Sequence, residues 1–506
     1  MFGARTKTPA VRVVRTARDH GRRPASSRSQ FQRDIGQLDR AVNDLRRRAP
    51  DFSAASPLLP WQRTVLLLAL SAFTAGLILV EDFGLLLWSL SIAIPFFMIS
   101  ALRFTAFWRA RRRRWEPSLH PPFDRRYDKW LPTYSVLIPL YREAAVVPGL
   151  IDALARMDYP SELLEILFIT EADDYATRRA LAAAGLYSNM RTVTVPRGRP
   201  KTKPRALNYA LQDARGVLVA VFDAEDRPDT DQLRRAAEAF IQGGPRLACV
   251  QARLAVFNGD ESFFSRQFSL EYAALFRGLL PALEHLRWPI LLGGTSNHFR
   301  RDVLLRCGGW DPFNVTEDAD LGIRLARLGY EVEMIDSETT EEAPTTWRVW
   351  LGQRTRWTKG WMQTYLVHMR RPVRLWRDLG PWRFAGFQVT LCAMLASMLC
   401  HPWFYVFAAI HSVLGTSILP ESRFLMWLCG LNLAMGYLTA GALITVTSTG
   451  QGLARRLFSI LFLPVYWLAI SVAGYRAIID LVLRPFYWEK TEHGVSRSET
   501  PNAPRF

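Results

Sequence analysis

Cysteine is scarce in this chain and poorly spaced for holding a metal. The five present, Cys249, Cys307, Cys392, Cys400 and Cys429, show no paired ligand spacing, which argues against a thiolate metal centre. Three lie in apolar runs, where a thiol serves as a small soft hydrophobe. An apolar leader is lacking as well. Residues 1–60 are polar and Arg-rich, the opposite of a signal peptide. Acidic residues are thin at this end, with thirteen Arg or Lys against four Asp in residues 1–50. Weak apolar periodicity there predicts a largely disordered segment. Only residues 37–48, QLDRAVNDLRRR, have the spacing of a short basic amphipathic helix.

Long apolar runs are missing from the middle of the chain and crowd its two ends. They fall at residues 64–80, 85–102, 385–419, 424–447 and 457–475. A bilayer core takes roughly 20 apolar helical residues, so each run is a candidate span. Buried helices of a soluble protein are the competing reading, and the clustering at both ends speaks against it. The formal charge is +18, and it is biased in position. RARRRR (109–114) follows the second run and ARR (454–456) precedes the last. Basic residues at membrane ends stay in the cytoplasm. That rule puts the N-terminus and residues 109–384 inside and the EDFG turn (81–84) outside. No nucleic-acid motif accompanies the charge, and orientation plus anionic lipid accounts for it, so nucleic acid is not an expected partner.

Residues 132–371 read as α/β. YSVLIPL (134–140) and LEILFIT (164–170) are runs of β-formers suited to strands buried on both faces. Residues 144–157 have helical spacing between them, and a third strand, VLVAVFDAED (217–226), ends in carboxylates. Strand, helix and strand with short links imply a doubly wound, mostly parallel sheet. Ligands bind such sheets at the carboxyl ends of the strands, where these acidic clusters lie. Asp223, Glu225 and Asp226 can aim oxygens at one hard cation, Mg²⁺ or Mn²⁺. A bare D-x-E is more often a solvated turn. Here EADD (171–174), the cation-bearing RPKTKPRALNYAL (199–211) and TEDADLGIRLARLGY (316–330) occur in the same segment. Each of these, alone, is ordinary helix-capping or surface charge.

Taken in order, these stretches resemble the membrane-embedded processive branch of the family 2 glycosyltransferases, the superfamily of cellulose, chitin and hyaluronan synthases. The resemblance runs from about Tyr134 to Trp361. PLYREA resembles the first-strand nucleotide loop, TEADD the segment of the first nucleotide-binding aspartate, and FDAED the metal motif. GGTSNHFRRDVLLRCGGWD (293–311) resembles the acceptor-side loop, TED is unaltered, and QRTRW (353–357) fits the Q-x-x-R-W signature. The resemblance implies a nucleotide-diphospho-sugar transferase (GT-A) domain flanked by transmembrane helices. It implies inverting hexosyl transfer from a nucleotide donor, UDP-linked, to a growing β-linked polysaccharide coupled to export. The alternative is a single transfer to a lipid or short oligosaccharide, and a second alternative is a catalytically inactive membrane scaffold.

By the same resemblance Asp318 is the catalytic base and Glu317 orients the site. Glu171, Asp173, Lys203, Asp223 and Arg356 hold the nucleotide donor. Asp223 and Glu225 hold Mg²⁺ or Mn²⁺. Gln353, Trp357, Thr295, Ser296 and Asn297 face the acceptor. QRTRW is expected on an amphipathic helix at the membrane interface, with Trp347, Trp350 and Trp361 as anchors. His298 is expected to be structural and neutral rather than a rival base. No basic R-x-x-x-R segment precedes a β-rich domain, so direct cyclic-dinucleotide control is not expected.

The organisation that follows is a disordered cytoplasmic N-terminus (1–60), a transmembrane hairpin (61–108), a cytoplasmic transferase domain with interfacial helices (109–371), a C-terminal transmembrane region (372–480) and a tail (481–506). FYWEKTEHG (486–494) resembles the loop that covers the nucleotide. Five simple spans would put this tail outside, whereas a re-entrant or interfacial last run keeps it in the cytoplasm; Pro464, Arg476, Asp480 and Arg484 favour the latter. The expected location is the inner membrane, with lipid bilayer, nucleotide sugar and polysaccharide or lipid acceptor as partners.

Overall fold

The computed structural model describes residues 25–56, 58–79, 81–113, 125–414, 423–448 and 452–487. Its centre is a mixed eight-stranded sheet of order β3-β2-β1-β4-β7-β6-β8-β5. The strands are β1 (Tyr134–Leu140), β2 (Leu164–Glu171), β3 (Met190–Val195), β4 (Leu218–Val221), β5 (Arg227–Pro228), β6 (Leu247–Val256), β7 (Asn297–Arg300) and β8 (Glu331–Glu341). β1 pairs in parallel with β2 and β4, and β2 with β3. β7 is antiparallel to β4 and β6, while β6 and β8 are parallel.

Central β1 is buried on both faces, as its run of β-formers, polar only at Ser135, requires. Leu137 packs into one core cluster, and Val136 and Ile138 into the other. Because β1, β2 and β4 run the same way, their carboxyl ends share one edge. Glu171 ends β2 there, and the turn carrying Asp223, Glu225 and Asp226 follows β4.

Among the helices, those that bear on the site are α1 (Ala25–Arg48), α2 (Pro60–Leu79), α3 (Glu81–Arg113), α4 (Lys203–Leu211), α5 (Phe263–Ala274), α6 (Glu317–Arg327), α7 (Trp347–His368), α8 (Met394–Leu414), α9 (Arg423–Thr447) and α10 (Leu463–Leu483). The expected disorder of residues 1–60 does not hold over α1; residues 1–24 lie outside the described part. α1 buries Leu38, Ala41, Val42 and Leu45, a helical stripe too short to stand out from its polar surroundings. Polar bonds fix its register: Gln37 Nε2 donates to the Tyr209 carbonyl (3.0 Å) and Asn208 Nδ2 to that of Ala41 (3.1 Å). The order of this segment comes from docking on α4, which composition does not report.

Among the described residues four helical segments are long and apolar enough to cross a bilayer: Leu90–Arg112, Pro372–Val406, Trp427–Thr447 and Leu463–Leu483. α2 adds a helix over Pro60–Leu79. Glu81–Gly84, expected as a free turn, forms the first turn of α3. The expected run 457–475 is divided. One helix ends at Leu461, and α10 starts beside Pro464 and continues to Leu483. Proline is tolerated in a first helical turn, where its missing N–H has no helical partner to lose.

α10 lies along α7. At one end Trp350 Nε1 donates to Tyr466 Oη (3.2 Å). At the other, Lys359 Nζ donates to the Tyr487 carbonyl (2.7 Å) and Gln363 Nε2 to that of Pro485 (2.9 Å). Residues 484–487 therefore pack against the C-terminal half of α7. The rest of FYWEKTEHG lies outside the described residues.

Candidate active site

The shared sheet edge collects opposite charges. Lys203, in the first turn of α4, places Nζ 2.5 Å from Asp223 Oδ1 and 2.8 Å from the Gly294 carbonyl oxygen. Burial opposes its charge, but Asp223 and Glu317 beside it raise its pKa above the ordinary lysine value. Arg205 is fully buried and sets Nη2 against both oxygens of Glu171, 2.5 Å from Oε1. Glu171, expected on the nucleotide, is thus held internally, although it still lines the cavity described below. Exposed Asp173 receives Lys201 Nζ at 2.7 and 2.8 Å.

Asp226 separates from its neighbours Asp223 and Glu225. It is buried, accepts the Asp223 amide N–H (2.6 Å) and bonds Thr295 Oγ1. Burial, then the charges of Asp223 and Glu225, push its carboxyl well above the carboxylate range. Asp226 braces the turn; Asp223 and Glu225 face the cavity.

The turn before α6 brings Glu317 and Asp318 to the same place. Burial first, and then the negative Asp318, push Glu317 to about 8. Burial also raises Asp318, while the Ala319 N–H and Lys203 pull it back. Burial and mutual repulsion favour one shared proton on the pair, and the Ala319 N–H and Lys203 favour the ionised form of Asp318, the carboxylate able to accept a proton. A Cβ built on Gly294 would stand 3.4 Å from Asp318 Oδ2, so the acceptor loop and the TED turn face each other. Arg356 completes the ring. Burial lowers its pKa, and Glu317, Asp223 and Asp318 oppose that shift.

α7 anchors the TED turn. Gln363 Oε1 accepts the Val315 amide (3.2 Å), and Asn314 Nδ2 donates to Thr364 Oγ1 (3.0 Å). A Cβ on Gly360 would stand 2.2 Å from Thr316 Oγ1, so only glycine lets the helix pass this close. The segment expected as an amphipathic interfacial helix is helical, and much of it is buried. It is wedged between the sheet domain and α10, with Trp350, Arg354, Thr358, Lys359 and Gln363 buried. Trp350 is a core residue with no exposed area. Trp347 stacks on it at 5.5 Å and remains partly exposed.

Trp357 and Trp361 line a cavity of about 720 Å³ together with Gln353 and Arg356. The same cavity reaches Lys203, Asp223, Glu225, Thr295, Glu317 and Asp318 at one end, and Ile99, Leu102, Met394, Leu443, Ile444 and Ile470 at the other. Between these ends lies a throat of rings and charge. Trp357 stacks against Tyr272 at 6.2 Å, and the Arg354 guanidinium lies 5.0 Å from the Trp357 ring centre. Arg354 binds both oxygens of Glu271 at 2.7 Å, and Tyr466 Oη donates to Glu271 Oε2 at 2.7 Å.

Two expected acceptor residues are not brought to the cavity. Ser296 Oγ bonds Thr339 Oγ1 (2.6 Å) and Asn297 Nδ2 donates to the Gly293 carbonyl (2.6 Å). β7 begins at Asn297, and both side chains are buried in bonds within the protein. His298 is buried between Tyr134 Oη (2.7 Å) and Gln232 Oε1 (3.3 Å). Burial lowers it to about 3, so it stays neutral, as expected. Sequence reasoning missed Glu271, Arg354 and Tyr466. Arg354 lay in plain view inside QRTRW, but its partners belong to no motif.

Among the described residues no trio of His, Cys, Asp or Glu is arranged to hold a metal. Asp223 and Glu225 do offer two carboxylates to one cavity. Mg²⁺ is ordinarily held by one or two carboxylates plus substrate phosphates, so these residues fit a cation that arrives with a diphosphate.

Residues 132–360 match the family model described as "Glycosyltransferase like family 2". A beta-monoglucosyldiacylglycerol synthase of Synechocystis sp. is 30% identical over 249 residues, 47% of this chain and 50% of that protein. Glucomannan 4-beta-mannosyltransferase 2 of Arabidopsis thaliana is 26% identical over 266 residues, 49% of each. The chain thus spans about half the length of these curated relatives. The fold is shared with a solved mannosyltransferase of Pyrobaculum calidifontis in complex with GDP-Man and Mn²⁺, at 20% identity and a TM-score of 0.52, over 78% of this chain and 99% of that one.

Proposed function

We propose, from the match of residues 132–360 to the family 2 glycosyltransferase model, that the chain moves a hexose from a nucleotide diphosphate donor to a hydroxyl of a lipid-borne acceptor, with inversion at the anomeric carbon. The observation that carries this reading is the single cavity joining Lys203, Asp223, Glu317 and Asp318 to walls of Ile99, Met394, Leu443 and Ile444. A charged donor suits the first end. An aliphatic chain suits the second, because burying apolar surface against apolar walls is favourable and burying a hydrated polysaccharide there is not.

In the step itself the acceptor oxygen attacks C1 as its proton passes to Asp318. The bond from C1 to the diphosphate oxygen breaks, and the nucleoside diphosphate leaves with the electron pair. Lys203 and Arg356 stabilise the charge that gathers on the leaving group. Asp223 and Glu225 would hold Mg²⁺ or Mn²⁺, which supplies Lewis-acid neutralisation of the diphosphate. Glu317, protonated at neutral pH, keeps a second negative charge away from the leaving group. Trp357 offers the acceptor sugar a flat apolar face, and Gln353 offers it a polar group. Glu171 faces the donor end with buried Arg205 behind it, and Asp173 acts on the donor indirectly, through Lys201. The chain would sit in a membrane with the catalytic domain in the cytoplasm, where nucleotide sugars are made.

A second reading is elongation of a β-linked polysaccharide. The aromatic throat of Tyr272, Trp357 and Trp361 favours it, since stacked rings can guide successive sugars. The glucomannan 4-beta-mannosyltransferase relatives carry such an activity in their names. The separating experiment supplies purified protein in lipid nanodiscs with a panel of radiolabelled UDP- and GDP-sugars, together with farnesyl hexosides or soluble β-linked oligosaccharides. Label appearing as one added sugar on the farnesyl carrier supports the lipid reading. Long soluble polymer without lipid-linked product would overturn it.

A further inference from the structure

The apolar lobe of the cavity contains a cation that the transfer described above does not use. Arg103 lines this lobe from within the membrane-length segment Leu90–Arg112. Its guanidinium carbon lies 4.6 Å from the ring centre of Trp467. The nearby carboxylate is Glu271, already bound through both oxygens by Arg354 and by the Tyr466 hydroxyl. Among the described residues, Arg103 therefore keeps a planar set of donors beside an apolar chamber. Ionisable residues at membrane depth are costly, and they mark binding sites or ion paths when they face an internal cavity.

The order of groups along the cavity gives this cation a meaning. Asp318 stands at the transfer point, and Trp357 stands beyond it in the throat. Trp357 touches Arg354, Arg354 holds Glu271 and Tyr466, and the next residue, Trp467, carries Arg103 on its ring. The aliphatic walls follow. We propose that the acceptor is a lipid-linked sugar whose sugar and lipid are joined through a phosphate, and that Arg103 binds this phosphate. The sugar lies against Trp357, the phosphate meets Arg103, and the tail occupies the lobe. Guanidinium matches a phosphate with two parallel bonds, and the Trp467 face keeps the group oriented. The proposal rests on the lipid-acceptor reading above.

The test uses the full chain in nanodiscs with the nucleotide sugar it turns over. Two acceptors are compared: a hexose joined to farnesol through a phosphodiester, and the matching farnesyl hexoside without phosphate. The native protein should prefer the phosphodiester by about tenfold in kcat/KM, the worth of one charge-assisted contact. Arg103→Gln should erase that preference, and Arg103→Lys should keep part of it. Equal use of both acceptors by the native protein, or an intact preference in Arg103→Gln, overturns the proposal while leaving the lipid reading standing. A parallel loss of UDP affinity in Arg103→Gln would assign Arg103 to the donor and overturns it as well. If soluble oligosaccharides are elongated and neither farnesyl compound is used, the lipid reading itself fails and takes this inference with it.

Discussion

Lys203 Nζ and Asp223 Oδ1 are 2.5 Å apart, so the lysine rests on the carboxylate that is proposed to hold the metal. A cation and a diphosphate entering together must take Asp223 from Lys203, and Lys203 must then move onto phosphate. Removing the amine should separate the two effects. Lys203→Gln should weaken UDP binding by about tenfold, the loss of one charged contact. Mn²⁺ binding without nucleotide should tighten, because Asp223 is freed. Calorimetric titration of each ligand reads both. Unchanged Mn²⁺ affinity would mean that Asp223 is not a metal ligand.

The Glu317–Asp318 pair makes activity depend on pH in two directions. Asp318 acts as a base only when ionised, so kcat/KM should fall as pH drops through its raised pKa. Glu317 has a pKa of about 8, and above that value its second charge repels the departing diphosphate. The profile should therefore be bell-shaped. Asp318→Asn should lower turnover by about 100-fold or more at every pH, the usual scale for a lost general base. Glu317→Gln should remove the alkaline limb and keep the acid one. If both limbs survive in Glu317→Gln, the assignment of the proton is wrong.

Much of this arrangement was legible in the sequence, for physical reasons. β1 could be bounded from residues 134–140 because a strand buried on both faces reads as a near-continuous run of β-formers, here interrupted only by Ser135. The carboxylates after β2 and β4 could be placed at one edge because parallel strands share their ends. Other parts could not be read. Trp350 sits beside two arginines, which suggests an interface, yet its neighbours in space are Phe264 and Tyr466, far away in the chain. Ser296 and Asn297 looked available because nothing local reveals that β7 starts there. α1 is polar by composition and ordered by its contacts with α4. In each case the deciding contact is long-range, and sequence pattern reports only local order.

Chelation should test the cation directly. EDTA should abolish transfer, and Mn²⁺ or Mg²⁺ should restore it. Asp223→Asn should resist that restoration, because one of only two cavity-facing carboxylates on this turn is lost. Glu225→Gln should need more metal for half-maximal rate. The measurement is initial rate against free metal concentration, and full activity in metal-free buffer would exclude the role given to both residues.

Gly360 offers a test of how α7 positions the base. A methyl group there would meet Thr316 at 2.2 Å, so Gly360→Ala must push the TED turn away from α7. The variant adds helix propensity and removes no polar group from the site. Turnover should nonetheless fall by about tenfold or more, since displacements near 1 Å carry costs of that order or greater. UDP affinity should change little. Wild-type turnover in Gly360→Ala would show that the packing of α7 does not set the position of Asp318.

Two indoles of α7, Trp350 and Trp357, should behave in opposite ways. Trp350 is fully buried and donates to Tyr466. Trp350→Ala leaves a large cavity where α5, α7 and α10 meet, and a buried aromatic lost in this way costs about 3–5 kcal/mol. The protein should unfold at a markedly lower temperature, and whatever remains folded should keep its acceptor KM. Trp357 is half-buried and faces the cavity, so Trp357→Ala mainly removes a platform for the acceptor sugar. Its acceptor KM should rise, with the melting temperature less affected than in Trp350→Ala and with donor hydrolysis to free sugar retained. Thermal unfolding and acceptor saturation curves on both variants decide the matter. If Trp357→Ala loses stability as Trp350→Ala does and leaves acceptor KM unchanged, the throat is packing alone and the acceptor must bind elsewhere.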